Sequence, residues 1–96
     1  MNFYENEDFK LLVKAIVSIE DEEECISFLE DIMTRKEMAD IAQRLMVAKL
    51  LSEQTVYNKI VEQTGASTAT ISRVNRAYNY GAGGYAQMLA KLKGEE

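Results

Sequence analysis

The sequence predicts an all-α domain of six helices, on three grounds. Apolar residues recur at three- and four-residue intervals along most of the chain, the period of one helix face. No proline among the 96 residues interrupts a helix, and four of the five glycines mark two breaks, at Gly65 and at Gly81, Gly83 and Gly84. A chain of this length forms one domain, residues 1–96, which buries only about two-thirds of its unfolded surface and has little stability to spare.

Phe9, Leu12, Val13 and Ile16 lie at i, i+3, i+4 and i+7, predicting a first helix from about Glu7 to Val17. Ser18 and the acids between Glu20 and Glu24 predict the start of a second helix, a hydroxyl cap followed by negative charge at its positive end. Its apolar stripe is Cys25, Phe28, Leu29 and Ile32. Thr34 and Glu37 form a T-x-x-E capping box ahead of the third helix, about Arg35 to Ser52. Met38, Ile41, Ala42 and Leu45 give that helix one face. From Leu45 to Leu51, however, only Lys49 breaks an apolar surface. Such a helix needs cover on every side. One short chain has few elements to supply it, so a homodimer with an interlocked helical core is expected. A last helix carries Tyr85, Met88, Leu89 and Leu92 on one face.

The segment from about 55 to 79 has the parts of a helix-turn-helix, which needs inward apolar residues, a turn glycine and an outward polar face. Ile60, Val61 and Thr64 face inward from its first helix. Gly65 can take the positive φ that ends that helix, Ala66 is small enough for the crossing, and Ile71 and Val74 anchor the second helix. Val61 departs from the alanine usual where such helices approach. Ser67, Thr68, Ala69, Thr70, Ser72, Arg73 and Arg76 are left facing outward, and nearly all are small or basic. Hydroxyls can bond phosphate or base edges, Ala69 and the threonine methyls can touch a thymine methyl, and the arginines can neutralise phosphate. With Asn58 and Lys59 on the preceding helix, they make up the expected DNA-binding set. Duplex DNA is the expected partner, its major groove the expected seat. The plain alternative is an ordinary helical hairpin with a Ser67 cap and a solvated polar face.

Charge first argues against nucleic acid, since the chain carries a net -5. Its distribution argues the other way. Residues 1–31 hold ten acids against Lys10 and Lys14, whereas residues 32–96 hold nine bases against six acids. The acidic front leaves a basic remainder around the helix-turn-helix.

Other chemistries find little support. Histidine is absent and Cys25 is the single cysteine, so the usual zinc sites and catalytic triads are missing and no internal disulfide forms. A metal-free chain that is not an enzyme is expected. Cys25 lies on an apolar stripe, as a structural thiol would. The GAGG run flanked by Tyr78, Tyr80 and Tyr85 lacks the lysine of a phosphate loop and reads as a connector. No apolar run approaches the roughly 18 residues of a membrane span, and the N-terminus is acidic, so a cytoplasmic protein is expected.

The order of six helices, the long third helix with Arg44 and above all the stretch TGASTATISR from Thr64 to Arg73 resemble the Trp repressor family, and more closely its YerC/YecD branch. The resemblance implies a Trp repressor-like helix-turn-helix domain, an intertwined homodimer and a sequence-specific transcriptional regulator, a repressor by analogy. It also implies an effector site for an amino-acid corepressor at Thr34, Arg44 and Arg73. Two neighbours depart from that pattern. Val74 stands where a glycine makes room for an indole, and Ala77 replaces a serine that helps hold the ligand amine. No required cofactor is expected. The alternative function is a helical protein-protein interaction module using its acidic N-terminal helices.

Overall fold

The computed structural model describes residues 2–94, which form six α-helices and one short 3-10 turn, with no strand among the described residues. The chain divides into two compact units, Met1–Arg35 and Lys36–Glu96.

The first unit begins with the 3-10 turn Phe3–Glu5, whose rings Phe3 and Tyr4 pack on Phe9, the Phe3 and Phe9 centroids lying 4.8 Å apart. Helix α1, Glu7–Val17, starts at Asn6, whose side chain accepts the Phe9 N–H at 3.1 Å. Helix α2 is Glu22–Ile32, and its cap differs from the expected one. Ser18 closes α1 instead, its Oγ donating to the Ala15 carbonyl at 2.7 Å, while Asp21 accepts the Glu24 N–H at 2.8 Å. A charged acceptor directly before the first turn outcompetes a hydroxyl three residues further back. The expected stripes face one way, but no described residue of this unit is buried: Phe9, Leu12, Cys25, Phe28 and Leu29 are half-buried, while Val13, Ile16 and Ile32 are exposed.

The second unit holds the core. Helix α3, Arg35–Ser52, has the bounds expected from the sequence and buries Val47, Ala48 and Leu50. Its end is a Schellman motif, in which Thr55 N–H bonds the Leu50 carbonyl at 3.0 Å and Gln54 N–H the Leu51 carbonyl at 3.1 Å. Gln54 occupies the left-handed position, φ 65°, where glycine is usual. Helices α4, Tyr57–Thr64, and α5, Thr68–Tyr80, pack on each other, and α5 packs on α6, Gly84–Gly94. Ile60, Ala66, Ile71 and Val74 close over the α3 residues to form one core, with Leu51, Tyr78, Tyr85 and Leu89 half-buried at its edge. Gly81 follows α5 at a point with no room for a side chain, since a Cβ there would overlap the Ala77 carbonyl oxygen.

Candidate nucleic-acid interface

The turn between α4 and α5 is built from three residues with separate tasks. Gly65 takes φ 72°, and its N–H bonds the Val61 carbonyl at 2.9 Å, ending α4. Thr64 Oγ1 donates to the Ile60 carbonyl at 2.7 Å and accepts the Ala66 N–H at 3.1 Å. Ala66 is buried, so the chain crosses close to the core. Ser67 then caps α5, its Oγ accepting the Thr70 N–H at 3.1 Å and donating to Thr70 Oγ1 at 3.1 Å.

The inward set differs from expectation at one position. Ile60 is fully buried and Thr64 half-buried, whereas Val61 is 36% exposed. In so short a helix only one stripe meets the core, and Ile60 and Thr64, four residues apart, occupy it. Val61 lies about 100° round the helix from Ile60 and does not wedge the crossing.

Thr68, Ala69, Ser72, Arg73 and Arg76 are exposed on α5, opposite the buried Ile71 and Val74, and Asn58 and Lys59 are exposed on α4. Thr70 is half-buried and lies toward α3. The hydroxyl of Ser67 both accepts from and donates to Thr70, so what Ser67 offers a ligand is the helix start itself, where the first-turn N–H groups lack intrahelical acceptors. The cations fall into two groups. Lys59 reaches Glu62 at 4.0 Å, a loose exposed pair of little strength. Arg44, Arg73 and Arg76 are exposed and pair with no acid among the described residues, which leaves their guanidinium groups open to an external anion.

Arg44 and Arg73 line one polar groove of about 270 Å³ between α3 and α5, together with Asp40, Gln43 and Thr70. Thr34, the third expected effector residue, precedes α3 and is not among the groove's lining residues. Val74 is 1% exposed and Ala77 borders a separate apolar hollow with Tyr85 and Met88, so neither faces that groove. Sequence reasoning missed Asp40 and Gln43. A signal for Gln43 was present: it precedes Val47 and Leu50 at i, i+4 and i+7, a polar residue on a core-facing stripe that must find a hydrogen-bond partner.

Comparison with known proteins agrees with this architecture. The family model "Trp repressor protein" matches residues 7–93. The Bacillus subtilis protein YerC is 48% identical over 85 residues, covering 88% of this chain and 82% of its own. The crystal structure of a TrpR-like protein from Eubacterium eligens superposes with a TM-score of 0.92 at 44% identity, over 97% of this chain and 96% of that one. A candidate Trp repressor from Staphylococcus aureus superposes with a TM-score of 0.89 at 35% identity, over the same 97% and 96%. With its helix-turn-helix seated on the long third helix and likeness running nearly end to end, the chain belongs to the Trp repressor family.

Proposed function

We propose that this chain is a sequence-specific DNA-binding transcriptional regulator, a repressor by kinship, that places α5 in the major groove. One observation carries the reading: α5 is anchored by Ile71 and Val74 on one side and turns small, hydroxyl and arginine side chains outward on the other. An α-helix fits the major groove of B-DNA, and small residues let its backbone approach the base edges. Arg73 and Arg76, unpaired on the same face, suit phosphate contacts.

The regulator acts as a homodimer. Support comes from α3, where Ile41, Leu45 and Met46 are exposed beside the core, and from a first unit in which no described residue is buried. Apolar surface on this scale calls for a partner copy. The protein works in the cytoplasm, alongside DNA; no helix among the described residues is long and apolar enough to cross a membrane. It needs no cofactor to seat α5, because the core does so. An amino-acid-like corepressor, if taken up, would meet the paired guanidinium groups of Arg44 and Arg73 in their shared groove. The acids at the start of α2 are accounted for by the Asp21 cap and the helix dipole, which leaves the partner-module reading without a separate support.

The test is the salt dependence of duplex binding. The logarithm of affinity should fall steeply with the logarithm of salt, and Arg73→Ala and Arg76→Ala should each reduce that slope by about 1 while weakening binding to all duplexes alike. Slopes unchanged in both variants would move the interface away from α5.

A further inference from the structure

A reading helix must be held in register as well as anchored. The core contacts of Ile60, Ala66, Ile71 and Val74 set how deep α4, the turn and α5 sit, and hydrogen bonds add the direction that apolar packing lacks. The bonds within the turn are local: Thr64 to Ile60, Ala66 to Thr64 and Thr70 to Ser67 span four residues or fewer. They shape the turn without fixing it to anything else. Gln43 does that. Its Nε2 donates to the Thr64 carbonyl at 3.0 Å across 21 residues of sequence, in a part-buried setting. The acceptor is one of the end carbonyls of α4 that a helix leaves without an internal partner. A single directional bond from the rigid third helix thus reaches the residue before the turn glycine, and the amide of Ala66 hangs from the side chain of that same Thr64.

We infer that Gln43 is a positioning residue for DNA reading, which fixes the turn at Thr64 to α3 and so holds the start of α5, Ser67 to Arg73, at the angle its base contacts require. The inference rests on the proposal that α5 reads DNA. Its consequence is specific. Base contacts depend on placement to within a few tenths of an ångström, whereas phosphate attraction tolerates looser geometry. Loss of the Gln43 bond should therefore lower affinity for the cognate duplex and leave general affinity in place.

The experiment compares Gln43→Met, which keeps the length of the side chain and removes the donor, with the unaltered chain. Affinity is measured for a selected duplex and for a scrambled one across salt, and amide resonances of the turn are recorded. Affinity for the selected duplex should fall about tenfold, a fraction of the discrimination carried by good base contacts. Affinity for the scrambled duplex and both salt slopes should hold, while the resonances of Gly65, Ala66 and Ser67 shift. Gln43→Leu repeats the test should the methionine variant fail to fold. An unchanged ratio between the duplexes overturns the inference even if the resonances move, since Gln43 would then be structural only. An equal loss on both duplexes also overturns it. Unaltered protein that shows no preference between duplexes would instead bring down DNA reading itself, and this inference with it.

Discussion

Thr70→Asp is expected to abolish duplex binding, by at least about a hundredfold, in a protein that remains folded. Thr70 is the third residue of α5 after the Ser67 cap, and its N–H bonds the cap oxygen. Acids are favoured in the first turn of a helix, where they face the positive end of the dipole, so the substitution suits the helix. It does not suit DNA. Thr70 sits beside Arg73 and Arg44, and a carboxylate there would neutralise the guanidinium groups and repel phosphate. Like charges brought together at an interface cost several kcal/mol. Titration of a labelled duplex, paired with thermal melting by circular dichroism, separates the two effects. Binding retained by a folded variant would take the interface off the start of α5.

Ile60→Ala should have the largest effect on stability. Ile60 is fully buried between α3 and α5, so truncation removes apolar contacts and leaves a cavity in a small core. Such changes cost about 2–5 kcal/mol. Domains of this size have only roughly 5–15 kcal/mol in total, and each kcal/mol lowers Tm by about 4–8 °C. A drop of at least about 10 °C is expected. Val61→Ala, at the exposed neighbour, should change stability by no more than about 0.5 kcal/mol. Comparable losses in the two variants would mean that α4 is turned about its axis from the orientation described.

The contrast between those neighbours also shows where sequence is legible. Helix periodicity gives α1 and α3 their limits, Gly65 marks the turn, and the anchors Ile71 and Val74 follow from spacing, because each depends on residues within one or two helical turns. Family likeness then supplies the fold. Less was legible where two acceptors compete or a distant partner decides. Ser18 and Asp21 can both cap a helix, and only the backbone path shows that Asp21 does. Val61 and Ile60 are equally apolar, and only the placement of α3 shows which of them meets it. Gln54 adopts a conformation that normally announces itself as glycine. Gln43 finds its partner 21 residues away, beyond any local pattern. In the candidate site, the exposed face of α5 and its Ser67 cap could be read from the sequence, whereas the Asp40–Gln43 wall of the groove and the half-buried placement of Thr70 depend on how α3 and α5 meet.

Selection from a pool of randomised duplexes, with purified protein at low salt, bears most directly on whether this chain reads DNA as a dimer through α5. Enrichment of one sequence is expected, arranged as two half-sites related by a two-fold axis and spaced by about one helical turn, roughly 34–36 Å, as helix-turn-helix dimers require. The same selection with Thr70→Asp should enrich nothing. A pool that emerges still random from the unaltered protein would contradict sequence-specific reading, and a single unpaired half-site would contradict the dimer.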